Sequence, residues 1–184
     1  MFMNGFYSIA IDGPSGAGKS TLAKRLAAAF GFIYVDTGAI YRTVGLAAYR
    51  KEIDPKDETA VKAMLPELDI SMKYNSAGEQ CMLLNGEDVS GAIRMPEISM
   101  YASDVSAHAT VRAFLMEMQR KLARESNVIM DGRDIGTVVL PDAELKIYLT
   151  ADVEVRAQRR LLELQQKGVE AVFDTVLEEM KLRD

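Results

Sequence analysis

Hydrophobic and polar positions follow several rhythms along the chain, and each rhythm predicts a different element. "FYSIAI" is an apolar, β-rich run that reads as a buried strand ending near Asp12. After a glycine-rich stretch, "KSTLAKRLAAAF" is rich in strong helix formers and stops at Gly31. "FIYVD" predicts the next strand and "GAIYRTVGLAAYR" the next helix. Beyond Asp54-Pro55, Val61, Met64, Leu65 and Leu68 recur at i, i+3, i+4 and i+7, which is one apolar helical stripe. The period then shortens to two. "DISMKY" places Ile70, Met72 and Tyr74 on one side, and "QCMLL" runs into Asn85-Gly86, the strongest short hairpin signal. Asp69 to about Val89 therefore reads as a small antiparallel insert of two or three strands. Helical spacing returns at Val111, Phe114, Leu115, Met118 and Leu122. "NVIMD" and "ELKIYLT" predict two further buried strands, and helices are expected around 152–167 and 173–183.

Alternating strands and helices imply a parallel sheet covered on both faces. The chain of 184 residues shows no repeats, low-complexity tracts or linker. One α/β domain over 1–184, with an excursion, is expected, and the length suffices for a substantial core. With 48% hydrophobic and 27% charged residues the composition is that of an ordinary globular protein. A net charge of −5 gives no electrostatic reason to expect nucleic acid or an anionic membrane as partner. Cys81 stands alone, which excludes an internal disulfide and suits a reducing compartment. "MFMNGFYS" has no basic leader pattern, and no apolar run is long enough to cross a bilayer, so the cytoplasm is the expected location. His108 is the only histidine, leaving no pair for a metal site or catalytic dyad. Cys81 and the 11 methionines read as packing residues.

The first chemistry lies between the first strand and the first helix. Gly13, Gly18, Lys19 and Ser20 satisfy G-x-x-x-x-G-K-[ST], the loop that cradles nucleotide phosphates. Gly13, Pro14, Ser15, Gly16, Ala17, Gly18, Lys19, Ser20 and Thr21 are the candidate ATP-binding residues. Glycines let backbone N–H groups turn inward, and the following helix points its positive end at the same place. Lys19 would reach the β- and γ-oxygens, and Ser20 would offer its hydroxyl to Mg²⁺. A chance match in a chain this long has odds of about 1% or less. The motif implies a nucleoside triphosphate and leaves the acceptor open.

Four later stretches bear on the acceptor: "DTGAIYR" (Asp36 to Arg42), "SGAIR" (Ser90 to Arg94), "SDVSAHATVR" (Ser103 to Arg112) and "DGRDIGTVVLPDAELKIYLTA" (Asp131 to Ala151). Together with "GPSGAGKST", in order and spacing, they closely resemble the bacterial cytidylate kinases, from about Ile9 to Asp184. The resemblance implies transfer of the γ-phosphoryl group of ATP, with Mg²⁺, to CMP or dCMP in pyrimidine nucleotide metabolism. It implies a three-layer P-loop kinase fold with a core parallel sheet flanked by helices (about 7–50 and 125–184). A small antiparallel insert would lie in the monophosphate-binding region (about 66–108), and a helical lid at about 152–170. A monomer is the simplest expectation for a lid that must swing.

By that resemblance Asp134 takes the cytosine amino group, while Arg112 and Ser103 face the other edge of the base. The chemistry is consistent: cytosine has an amino donor beside a ring acceptor, and uracil would meet Asp134 lone pair to lone pair. Thr37 joins the CMP contacts, Tyr41 is placed at the ribose, and Arg42 and Arg133 at the acceptor phosphate. Guanidinium groups bind phosphate bidentately, which suits arginine there. Arg156, Arg159 and Arg160 stand at i, i+3 and i+4 on one helix side. The resemblance assigns this segment to the lid, with Arg156 and Arg160 in catalysis beside Lys19 and Arg133, and Arg183 of "KLRD" as a further substrate-side arginine. Read without the resemblance, "DGRD" is equally a surface turn, Tyr41 a packing residue, and the arginine cluster a solvated face with Arg159 paired to Glu163.

Three rivals stand beside this reading. One is a P-loop kinase for another small acceptor such as UMP, AMP or shikimate. A second is a slow nucleotide-hydrolysing switch, although the N-K-x-D segment of GTPases does not occur. The third is a fragment that binds nucleotide without transfer. In the family an acidic-arginine stretch, a final core strand and a helix follow the point that "KLRD" occupies, so the last core strand is expected to be missing from these 184 residues.

Overall fold

The computed structural model describes residues 5–166 and 168–183, Arg183 by its backbone alone. It divides into two compact units, one of residues up to Tyr7 with Ile33–Val128, the other of Ser8–Phe32 with Ile129–Asp184. The helix after "FIYVD" falls in the same unit as the insert.

In the unit of residues 8–32 and 129–184, strand β1 (Ser8–Asp12) is buried at all five positions, leads into the glycine loop and then helix α1 (Lys19–Phe30). Gly31 ends α1 in the left-handed conformation, φ 67°, and returns its N–H to the Ala27 carbonyl. The strand is shorter than "FYSIAI" suggests, since Phe6 and Tyr7 are exposed. β6 (Val128–Gly132) and β7 (Leu145–Tyr148) flank β1 in the order β6-β1-β7. β7 runs parallel to β1, with Ile11 opposite Ile147 and Asp12 opposite Tyr148. "ELKIYLT" was expected to be a buried strand, and this is corrected: Leu145 is 48% exposed and Tyr148 71%. Among the described residues β7 is an edge strand paired with β1, and three of its four residues are exposed, so the apolar pattern does not translate into burial.

Helices α6 (Val153–Gln166) and α7 (Phe173–Arg183) pack on each other through Ala157, Leu161, Val176 and Met180.

In the other unit β2 (Ile33–Asp36) passes directly into α2 (Thr37–Arg50), and Asp36 caps the helix by accepting the Ala39 N–H at 2.9 Å. α3 (Glu58–Met64) starts on Asp57, whose carboxylate accepts from Thr59 and Ala60. Pro66 has no N–H to donate, and the last turn tightens to a 3₁₀ turn over Leu65–Glu67. All four stripe residues, Val61, Met64, Leu65 and Leu68, are buried. The insert is a three-stranded antiparallel sheet of β3 (Ile70–Tyr74), β4 (Gln80–Leu84) and β5 (Glu87–Asp88), in that order. Asn85 at φ 50° and Gly86 at φ 82° form the two-residue turn between β4 and β5 that Asn-Gly announces.

α4 (Pro96–Ser106) is a helix the hydrophobic pattern did not announce. It lies against α2 so closely that a Cβ on Gly45 would sit 2.8 Å from the Ala102 nitrogen. α5 (Ala109–Glu125) follows the expected spacing with one difference. Its buried row is Val111, Leu115 and Gln119, while Phe114 turns to the flank at 38% exposed.

Candidate active site

The glycine loop forms as the motif requires. Gly13, Gly16 and Gly18 all have positive φ, at 146°, 76° and 97°. At Gly13 no other residue fits, because a Cβ would lie 1.9 Å from the Leu149 carbonyl oxygen. Gly18 opens α1 without a side-chain cap, so the N-terminal N–H groups of that helix carry their partial positive charge at the loop. The Lys19 ammonium donates to the Pro14 carbonyl at 2.8 Å. Ser20 Oγ donates to Asp131 Oδ2 at 2.8 Å, and Asp131, on β6, is 5% exposed. A hydroxyl and a carboxylate oxygen in contact are the hard donors that Mg²⁺ takes, so the donor set fits that ion.

The arginines of α6 are not equivalent. Arg156 is buried, at 4% exposed. Its Nε donates to the Ala151 carbonyl at 2.9 Å and its Nη1 to the Ser15 carbonyl at 3.2 Å. Arg159 donates to the Gly16 carbonyl at 3.3 Å. Both hold the phosphate loop by its carbonyls. It is Arg160, rather than Arg159, that pairs with Glu163, at 3.3 Å. Arg183 lies outside the residues whose side chains are described. Arg133 is exposed at the end of β6 and Asp134 half-buried beside it. After them, Ile135–Val139 form one wide π-helical turn, held at its start by the buried carboxylate of Asp12.

The remaining candidates belong to the unit containing the insert. Thr37 is buried in the first turn of α2, and Tyr41 and Arg42 are half-buried one turn later. The space beside Gly38 is taken by the Asp36 carboxylate and the Arg42 guanidinium, at 3.2 and 3.4 Å from where a Cβ would stand. Ser103 is exposed on α4. Arg112 on α5 lines a recess of about 360 Å³ with Ala109, Ala113, Met116, Glu117 and Arg120. The start of α2 is braced by residues the site prediction did not name. Gln80 on β4 accepts the Asp36 N–H at 2.8 Å and reaches the Asp36 carbonyl at 3.4 Å, while Arg94 donates to Asp36 Oδ2 at 3.2 Å.

A family profile for cytidylate kinase matches residues 9–184. The chain belongs to the cytidylate kinase family. The cytidylate kinase of Caldicellulosiruptor bescii is 54% identical over 177 residues, covering 96% of this chain and 78% of that protein. The cytidylate kinase of Caldanaerobacter subterraneus subsp. tengcongensis is 53% identical over 176 residues, covering 96% and 76%. Among solved structures, TT1252 from Thermus thermophilus aligns with a TM-score of 0.45 and 20% identity, over 95% of this chain and 78% of that one. The matched residues take in both "DTGAIYR" and "DGRDIGT". Membership does not by itself announce Asp12, Asp131 or Gln80. Asp12 ends β1 and Asp131 is the last residue but one of β6, and both are buried.

Proposed function

We propose that this chain transfers the γ-phosphoryl group of ATP to CMP or dCMP, giving ADP and CDP or dCDP. The observation that carries the reading is a match to the cytidylate kinase family that runs through both the phosphate loop and the segments read as acceptor contacts, residues 9–184. The relatives at 54% and 53% identity bear that name over nearly the whole of this chain.

The loop from Gly13 to Thr21 holds the triphosphate through its N–H groups and the α1 N-terminus, with the Lys19 ammonium against the β- and γ-oxygens. Ser20 and Asp131 would hold Mg²⁺, which would neutralise charge on the phosphate oxygens. Arg156 and Arg159 keep the loop carbonyls turned away from the nucleotide, so that its N–H groups face the phosphates. Arg160, with Arg133, supplies positive charge to the transferring group, and Arg183 adds to it. Tyr41 packs at the ribose, Thr37, Arg42 and Arg133 bind the acceptor phosphate, and Asp134 with Ser103 and Arg112 reads cytosine. No general base is needed, since phosphoryl transfer through a loose transition state depends on alignment and charge. α6 acts as the lid, and its closure over the nucleotide excludes water. The proposed setting is the cytoplasm, and the proposed state a monomer that takes nucleotides rather than nucleic acid or membrane as partners. Among the described residues no helix is long and apolar enough to cross a membrane.

The test is phosphoryl transfer from Mg·ATP to CMP, dCMP, UMP, AMP and shikimate. Transfer to CMP and dCMP above the other three is expected. Preferred transfer to AMP or shikimate would overturn the reading of Asp134 and Arg112.

A further inference from the structure

Asp12 touches none of the groups that the transfer requires, yet its surroundings are unusually specific for a strand-end carboxylate. It is 8% exposed, and its two oxygens accept from two successive backbone N–H groups, Oδ1 from Ile135 at 2.7 Å and Oδ2 from Gly136 at 2.8 Å. Those are the two residues that follow Asp134. Charge-assisted bonds of this length are the strong ones.

The turn they hold cannot hold itself. Asp134 stands at φ −145° and ψ 31°, outside helical geometry, and its carbonyl is shared by the N–H groups of Val138 at 2.9 Å and Val139 at 3.4 Å. The first N–H groups of any helical turn have no partner within it, and both Ile135 and Gly136 are buried away from water. Without the carboxylate two buried donors would be orphaned. The Asp12 carboxylate therefore holds the start of the turn that follows Arg133 and Asp134.

Asp12 is itself fixed. It lies opposite Tyr148 in the β1–β7 ladder, and its carbonyl accepts the Leu149 N–H at 2.8 Å. Its next neighbour is Gly13, the first residue of the phosphate loop. The main chain of Asp12 starts the donor loop while its side chain anchors the segment that reads the acceptor.

We propose that Asp12 is the positioning residue for Arg133 and Asp134, and that it sets the discrimination between cytosine and uracil acceptors. This rests on the reading of Asp134 as the contact to the cytosine amino group. The carboxylate acts through the turn and makes no contact with the base.

Asp12→Asn tests it, because the amide keeps the shape but accepts only one N–H and turns its own NH₂ toward the other. The ratio of kcat/KM for CMP over UMP should fall about tenfold and KM for CMP rise about as much, with KM for ATP changed by less than about twofold. A merely structural role would lower the folded fraction, scaling every kcat alike and leaving the ratio alone. In an Asp134→Ala background the same substitution should lower the ratio no further, since the two act as one unit. Gly136→Ala is the second variant, and it decides if Asp12→Asn does not fold. Its added Cβ would stand 3.2 Å from the Lys146 side chain and 3.4 Å from Ala10 Cβ, crowding the same turn with the carboxylate intact. It should lower the ratio in the same direction. An unchanged ratio in either folded variant overturns the inference, as does an additive effect in the double variant. Wild-type protein run alongside separates the two failures. If it makes no CDP, the reading of function falls and takes this inference with it; if it does, only the inference is at stake.

Discussion

Charged side chains hold the chain around the phosphate loop and around the insert, and they do so by different physics. Around the phosphate loop the carboxylates of Asp12 and Asp131 are buried, Asp12 accepting from the Ile135 and Gly136 N–H groups and Asp131 from the Ser20 hydroxyl. Around the insert, Arg50–Glu87, Lys51–Glu67 and Lys73–Asp88 cross the surface with every side chain at least 41% exposed. The hydrogen bond from Arg50 holds the Glu87 carboxyl below its ordinary range, and the Ser90 hydroxyl and N–H do the same for Asp88. Water stands ready to replace each surface partner, so such pairs contribute little. No water replaces a buried acceptor, and its loss leaves orphaned donors. Similar ion chemistry therefore fixes local geometry where the carboxylate is buried, at Asp12 and Asp131 and also at Asp36, and is surface decoration where both partners are exposed.

The largest effect that would sharpen this contrast is at Lys19. Lys19→Met should lower kcat about 10³-fold, the loss expected when a preorganised charge is removed from a transition state, with little change in Tm. Retained turnover would remove the phosphate loop from the chemistry. Next is Asp131→Asn, for which activity should fall about 10- to 100-fold and half-saturating Mg²⁺ should rise. An unchanged Mg²⁺ requirement would make the Ser20–Asp131 contact structural.

A smaller effect belongs to Tyr74 in the insert. Burial pushes its phenol up to about 12, and its hydroxyl donates to the Tyr34 carbonyl at 3.0 Å. The folded state favours the neutral phenol, so its contribution is complete below about pH 10 and is lost as the pH rises toward about 12. Urea melts at about pH 9 and about pH 11 should show a steeper loss of stability in wild type than in Tyr74→Phe. Equal slopes would contradict this. The smallest effect is expected for Arg50→Ala, which should move Tm by no more than about 2 °C despite breaking a two-bond ion pair. A larger drop would erase the contrast between buried and exposed partners.

Periodicity made most elements legible. The stripe at Val61, Met64, Leu65 and Leu68 and the Asn85-Gly86 turn formed as their spacing requires, because each depends on neighbours close in sequence. α4 escaped because Ile98, Ala102 and Val105 are spread thinly among Ser, Met and Asp, and what buries them is the close approach to Gly45, over 50 residues away. β7 was misjudged because an apolar run reports composition, whereas burial depends on what covers the strand. The phosphate loop was readable from four fixed positions. The residues that hold it and its neighbours were not: Asp12 reaches Ile135 across 123 positions and Ser20 reaches Asp131 across 111. A single acidic residue at a strand end has no period to announce it.

The most direct test of the central claim is the kcat/KM ratio for CMP over UMP in wild type and in Asp134→Asn. An asparagine amide presents a donor or an acceptor according to its rotation, so the lone-pair conflict with uracil disappears. The account predicts a wild-type preference for CMP that falls by about 100-fold or more in the variant, with KM for ATP held. A ratio unmoved by the substitution would contradict it, and the base would have to be read by other residues.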